Sequence, residues 1–389
     1  MKTKSKSKGK LLICAALVML LAGFTFSTAG AVTYYQQINL ASDGFVPAAN
    51  TDPNLINPWG ISYAPTSPFW VSDNGTGVST LYNGSGQPFP VGSPLVVTLA
   101  PAIGSSSPSR PTGQVFNGTS DFQVTPGNPA RFLFATEDGT ISGWNPAAAS
   151  TTAILKVDNS GTGAAYTGLA IGNNGAGDFL YASNFHAGTI DVFDSSFSPV
   201  SLSGSFVDPT LPAGYAPFNV QNLGGSLFVT YALQDASATD VVPGLGNGYV
   251  DIFDLNGVFQ SRLISDGVLN SPWGLALAPA NFGEFSNDLL VGNFGDGRIN
   301  AFDLVNGSYL GTLQDNMGDP IAIDGLRGLI FGNGGNGGDP TVLYFTAGSG
   351  GEMHGLFGSL APVSTPEPAT MLLLGLGLMG LAGIRRFRN

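Results

Sequence analysis

Asn57-Pro58-Trp59-Gly60-Ile61-Ser62 and Ser271-Pro272-Trp273-Gly274-Leu275-Ala276 are two copies of one short phrase, and what lies between them decides the fold. Weaker copies read RPTGQV (110–115), AYTGLA (165–170), APFNVQ (216–221) and LRGLIF (326–331). Aligned on Gly60, Gly113, Gly168, Asn219, Gly274 and Gly328, they are spaced 53, 55, 51, 55 and 54 residues apart. Each phrase is followed by an apolar run, a turn rich in Gly, Asn and Asp, and a further run ending in an aromatic, as in FWVSDNGTGVSTLYN (69–83) and YASNFHAGTIDVFD (181–194). Short apolar runs between such turns, without a sustained helical period, indicate an all-β chain. A unit of about 50 residues holding four strands has the length of one propeller blade. The prediction is a six-bladed β-propeller; seven blades is the alternative, but no seventh unit is found.

An outer strand follows most units: LVVTLA (95–100), AILKVD (153–158), SLSGSFVD (201–208), FQSRLIS (259–265) and YLGTLQD (309–315). The sixth unit stops at Phe357 without one, its third strand beginning at His354. The missing strand is YYQQINL (34–40), because the Ala41-Ser42-Asp43-Gly44 after it matches Ile264-Ser265-Asp266-Gly267 after another outer strand. An N-terminal strand completing the last blade would close the ring and remove its open edges.

Both ends of the chain lie outside this pattern. Five lysines in the first ten residues, an apolar run from Leu11 to Phe26, and Ala29-Gly30-Ala31 form the three parts of a secretory signal, a short signal helix cleaved after Ala31. The single cysteine, Cys14, falls within it, so the mature chain has no disulfide, thiolate nucleophile or Cys metal site. At the other end, Pro366-Glu367-Pro368 precedes an apolar stretch from Met371 to Ile384 and a terminus containing Arg385 and Arg386. Fourteen residues of helix cover about 21 Å, a short transmembrane helix against a hydrocarbon core of ~30 Å. The cationic end would remain cytoplasmic, with the large domain outside. The expected organisation is signal peptide 1–31, propeller 32–360, linker with the motif 361–370, and sorting helix with basic tail 371–389.

The motif, short helix and basic end resemble the PEP-CTERM sorting signal of Gram-negative bacteria. That resemblance implies recognition by an exosortase, an integral-membrane cysteine protease thought to cut near the motif. It implies export across the inner membrane, transient anchoring, and a final place at the cell surface or in the extracellular matrix. By pattern, the six units are similar to NHL-type and related propellers, and the whole chain to an uncharacterised family of PEP-CTERM propeller proteins.

Charge narrows the partners. Between the two ends, Arg110, Arg131, Lys156, Arg262, Arg298 and Arg327 face 25 acids, a net of −19. Phosphate binding needs clustered Lys and Arg, so nucleic acid and anionic lipid are excluded, and membrane contact is left to the terminal segments. An extracellular polysaccharide or a surface protein remains as partner.

The loops at one mouth are expected to gather Asp73, Glu137, Asn184, Tyr231, Asn293 and Ala347, one per unit. Oxygens of Asp73, Glu137, Asn184 and Asn293 could hold one Ca²⁺ on the axis. Six-bladed lactonases carry such a calcium, which makes a metal-dependent lactonase-like hydrolase the alternative function. Their ligand motifs are not reproduced here, and Asx residues also end strands by bonding their own turns. Arg110 and Arg327, at inner strands, are candidates for an anionic ligand or for pairing with Asp324 or Glu137. His186 shares the mouth face, and no catalytic role can be assigned to it or to His354 by spacing. Trp59 and Trp273, at equivalent positions, are expected to pack between blades. No Gly-x-Ser-x-Gly elbow occurs, and Gly332–Pro340 lacks the Lys and helix of a phosphate loop. The reading favours a non-enzymatic binding protein, with Arg110, Glu137, Asn184, His186, Asn293 and Arg327 as ligand candidates.

Overall fold

A computed structural model describes residues 32–365, whose compact body is Tyr34–Val363. The expected signal peptide (1–31) and the sorting residues Pro366, Glu367, Pro368, Arg385 and Arg386 lie outside the described residues. Among these, the only helices are the single 3₁₀ turns Ser160–Thr162 and Gly283–Phe285. The chain is all-β and propeller-like.

The strands group as the repeats predict. The fourth and fifth repeats each form an antiparallel four-stranded sheet, starting at the inner strands Tyr215–Leu223 and Pro272–Leu277. The first two repeats, with inner strands Pro58–Ser62 and Pro111–Phe116, merge into one eight-stranded sheet. They join through parallel pairing of their outer strands, Thr98 beside Thr152 and Leu99 beside Ala153. This covers two edges that would otherwise be open. In the sixth repeat, Leu326–Phe331, Leu343–Ala347 and Leu356–Thr365 are followed outward by Val32–Ser42. The N-terminal strand therefore completes that sheet, as its sequence signature implies.

Three expectations need correction. The segment 201–208 is not a strand, and the third repeat has three strands, not four. A Cβ on Gly204 would meet the backbone of Gly257 at 2.2 Å, and Phe206 turns at φ 54° to pack on Tyr181 and Phe253. That segment seals the gap to the fourth repeat with aromatic contacts and two backbone bonds, Gly204 N–H to Asn256 and Phe206 N–H to Gly257, instead of a ladder. His354 does not begin a strand; the third strand of the last repeat starts at Leu356. The same strand runs to Thr365, past the domain end expected at 360.

The repeated glycine has a physical reason. A Cβ on Gly60 would lie 2.3 Å from the Thr112 carbonyl, on Gly113 2.3 Å from the Leu169 nitrogen, and on Gly168 2.4 Å from Asn219 Oδ1. Asn219 donates to the Trp273 carbonyl at 2.8 Å. A Cβ on Gly274 would lie 2.4 Å from the Arg327 carbonyl, and one on Gly328 2.8 Å from the Trp59 carbonyl, which returns to the first repeat. Inner strands this close leave no room for a side chain at the contact. Gly113→Ala is expected to cost roughly 1–3 kcal/mol through forced backbone displacement, read as a lower melting midpoint. An unchanged midpoint would contradict the close contact.

Apolar clusters fill the spaces between neighbouring sheets; Trp70 stacks on Phe132 at 4.1 Å between the first and second repeats. One polar cluster is buried where the third repeat's last segment meets the fourth repeat. Arg262 bridges Asp208 and Asp251, both shielded from solvent. Burial and the nearby Asp208 carboxylate push Asp251 up to about 7, against the pull of Arg262. Its folded pKa thus exceeds its unfolded one. Its contribution to stability is full below the ordinary aspartate pKa and is lost as pH rises towards 7. Asp251→Asn should raise the melting temperature at pH 8 and change it little at pH 4.5. An equal or larger gain at the lower pH would contradict this assignment.

Candidate functional site at the mouth of the inner strands

Strand register locates the expected ring of mouth residues. Pro58 pairs with Asp73, Pro111 with Thr136, Tyr166 with Asn184, Pro217 with Tyr231, Pro272 with Asn293 and Leu326 with Ala347. The residue equivalent to Asp73 in the second repeat is therefore Thr136, and Glu137 lies one step further into the turn. That turn is one residue shorter than in the first repeat, and matching acid to acid hides the shift.

The aligned residues bond chiefly close to their own strands. Asp73 Oδ2 accepts from the Thr80 hydroxyl at 2.7 Å, Thr136 and Thr140 share a hydroxyl bond at 2.8 Å, and Asn184 Nδ2 donates to Asp191 at 3.0 Å. Asn293 Nδ2 donates to the Val268 carbonyl at 2.8 Å. Burial also pushes the Asp73 carboxyl well above its usual range, which favours the neutral acid over a cation ligand. Asp73, Glu137, Asn184 and Asn293 are thus held in four different repeats by different partners. Among the described residues, no group of three or more His, Cys, Asp or Glu could hold a metal ion. Asp73 Oδ1 and Asn293 Oδ1 are buried without partners, but the four residues line no common cavity, so this donor set does not fit a shared Ca²⁺.

The axis is filled by the residue that follows this paired inner-strand residue, a proline in four of the six repeats. These are Trp59, Thr112, Thr167, Phe218, Trp273 and Arg327. Trp59 meets Trp273 edge-on at 6.0 Å and Phe218 at 6.1 Å, and Trp273 donates its indole N–H to the Thr167 carbonyl at 3.1 Å. The two tryptophans belong to this central plug, not to the packing between blades. Arg327 is 2% exposed, with its guanidinium 3.8 Å from the Trp59 ring centre and 3.4 Å from that of Phe294. Its ion-pair partner is Glu352 at 2.7 Å, and not Asp324 or Glu137. Burial lowers the guanidinium to about 10, so it remains charged at neutral pH.

Above the plug, a polar chain crosses three repeats. Glu352, at φ 67°, and Asn57, at φ 47°, are strained residues that meet at the mouth. Asn57 Nδ2 donates to Glu352 Oε2 at 3.2 Å and to Asn74 Oδ1 at 3.3 Å. Asn74 Nδ2 donates to Glu137 Oε2 at 2.9 Å, and Arg110 links Glu137 at 3.6 Å to Asp138 at 3.1 Å. Burial raises the Glu137 pKa; Asn74, Arg110 and Arg327 oppose the rise, and Glu352 adds to it.

Arg110, Glu137 and Arg327 line one cavity of about 360 Å³, together with Asn74, Asp240 and Glu352. Arg110, Glu137 and His186 line a second, of about 350 Å³. Asp73, Asn184 and Asn293 line neither. His186 Nδ1 lies 3.1 Å from the Ala238 carbonyl, and His354 pairs with Asp43 at 2.7 Å. The sequence reading missed Asn57, Asn74, Asp240 and Glu352. The Gly350-Gly351 pair before Glu352 was the available signal, since it marks backbone turning at positive φ.

Two curated proteins of Acanthamoeba polyphaga mimivirus, described as uncharacterized proteins R648 and L690, are each 37% identical to this chain over 345 residues. The matches span 86% of this chain and 82% and 88% of theirs. The chain belongs to their family. In this member of the R648 and L690 family, residues 364–386 also match the PEP-CTERM protein-sorting motif, which implies export and surface sorting by an exosortase. Solved structures with propeller folds are similar to it. The soluble aldose sugar dehydrogenase of Escherichia coli gives a TM-score of 0.52 at 11% identity, over 85% of this chain and 100% of that one. A glucose dehydrogenase gives 0.51 at 11% identity, over 83% and 99%. At such identity the likeness shows the fold alone. Among the described residues, no helix is long and apolar enough to cross a membrane.

Proposed function

We propose that the chain is a six-bladed, NHL-like β-propeller, released from a signal peptide at Ala31 and sorted by exosortase to the cell surface or matrix. There it acts as a binding protein through the mouth cavity. The cyclic order of close contacts from Gly60 through Gly328 back to Trp59 supports the blade count. One observation carries the function: in the connected chain Arg110–Glu137–Asn74–Asn57–Glu352–Arg327, every member but the linking Asn57 lines one cavity at the axis. A cavity with a few convergent polar groups is the usual form of a ligand site. The domain's net charge of −19 disfavours polyanionic nucleic acid there.

The hydrolase reading needs axial oxygens that share a metal, and Asp73, Glu137, Asn184 and Asn293 line no common cavity. The test is binding of the full chain to the extracellular polymers and surface proteins of its host. Arg110→Ala/Glu137→Ala should weaken binding at least about tenfold, or about 1.4 kcal/mol, with little change in melting temperature. Calcium-dependent lactone or ester turnover abolished by Glu137→Ala would replace this reading with the hydrolase.

A further inference from the structure

The ligand's chemistry can be narrowed at the same mouth, and this step rests on the binding reading above. The two cavities share Arg110, Glu137, Thr167, Phe185 and Thr239 as walls. They are the inner and outer halves of one groove, divided by the Arg110–Glu137 pair. A groove in two halves suits consecutive units of a linear molecule better than one compact ligand.

The inner half offers unpartnered donors and acceptors together. Arg327, 98% buried, has no hydrogen-bond partner at Nε or Nη1, and it lines this cavity. Glu137 receives its bonds at Oε2 and Asp240 at Oδ1, which leaves Oε1 and Oδ2 without partners among the described residues. A buried donor without an acceptor costs about 1–3 kcal/mol, and a ligand oxygen would relieve it. A carboxylate or phosphate would serve only the donors, and would face Glu137, Asp138, Asp240 and Glu352 against two arginines. An ammonium group would serve only the acceptors. A hydroxyl serves both, because it donates one hydrogen and accepts with its lone pairs. Trp59, Phe185 and Phe218, each no more than 3% exposed, back the cavity as packed apolar walls.

We propose that the groove binds a segment of a neutral glycan two or more units long, with one hydroxyl-rich unit over Arg327 and the next beyond the Arg110–Glu137 divide.

The experiment is calorimetric titration of the full chain, in mild detergent, with neutral gluco-oligosaccharides of one to five units in α- and β-linked series. Oligogalacturonate and glucosamine oligomers are the acidic and cationic comparisons. At least one neutral series should gain about tenfold in affinity between one and three units and then level off, while both charged oligomers bind at least about tenfold more weakly. Asp240→Asn removes a charge without emptying space and should weaken the neutral oligomer about threefold to tenfold at unchanged melting temperature. Arg327→Met should abolish binding; if it fails to fold, Asp240→Asn still decides. Affinity independent of length, tighter binding of a charged oligomer, or full affinity in Asp240→Asn would overturn the proposal. Binding of an acidic polymer or a protein, lost in Arg110→Ala/Glu137→Ala, would overturn the neutral-glycan assignment and leave the mouth-binding reading standing. No mouth-dependent binding of any polymer or protein would overturn both.

Discussion

Deletion of residues 32–42 is expected to abolish cooperative folding of the domain. The strand Val32–Ser42 is the outer strand of the last repeat's sheet, which it reaches from the opposite end of the chain. Tyr35 is 2% exposed, packs on Phe282 at a ring separation of 4.9 Å and donates its hydroxyl to the Phe282 carbonyl at 3.0 Å. Leu40 and Ala41 are also buried. Burial of Tyr35 and Leu40 alone is worth roughly 3–6 kcal/mol, a large part of the 5–15 kcal/mol typical of a whole domain. The deletion also leaves the strand Leu356–Thr365 with an open edge, a template for association. The truncated chain should aggregate in size-exclusion chromatography and show no cooperative thermal transition. Tyr35→Ala should keep the transition but lower its midpoint. A truncated chain that melts like the full one would show that the N-terminal strand does not close the ring.

Glu352→Gln is expected to cost about 2–3 kcal/mol. The substitution keeps shape and an acceptor oxygen but leaves the Arg327 guanidinium, 2% exposed, without its paired carboxylate. Removing one partner of a buried pair typically costs 3–5 kcal/mol. The lower figure applies because the Glu352 side chain is 36% exposed and partly screened. The strain of Glu352 at φ 67° is retained by Gln, so it does not enter the difference. Arg327→Met/Glu352→Gln replaces the charge inside the aromatic cage of Trp59, Phe218 and Phe294. The double variant should therefore be more stable than Glu352→Gln alone, since an apolar side chain removes the unpaired charge. Equal destabilisation of single and double variants in urea melts would mean that the ion pair is not what holds the plug.

Much of the fold was legible because its constraints are local and repeated. Inner strands within contact distance admit only glycine or a side chain that bonds the neighbour, as Asn219 does, so the phrase recurs at a fixed interval. The outer strand at 34–40 was legible from the signature that follows it. The segment 201–208 was not, because Phe206 contributes through a positive φ and an aromatic contact, which no strand pattern encodes.

At the mouth, the ligand candidates Arg110, Glu137 and Arg327 line one cavity, since inner strands and their preceding loops meet there. Their partners were hidden. Asn57 and Glu352 are 295 residues apart in sequence and are brought together only by ring closure. Asp73 and Thr136 end their strands with bonds to Thr80 and Thr140, while the next residues, Asn74 and Glu137, line the cavity. A one-residue difference in turn length was enough to conceal this.

The central claim is that the mouth floored by Arg327 is the working face. Hydrogen–deuterium exchange of the full chain, with and without extracellular polysaccharide of its host at saturating concentration, tests it most directly. The expected result is slowed exchange at the mouth, at residues 57–59, 110, 137–139, 185–186, 239–241 and 348–352, with little change elsewhere. The inner strands also border a cavity of about 460 Å³ at their opposite end, lined by Tyr63, Phe116 and Gln221. Protection confined to that end, or to the outer strands, would contradict the claim.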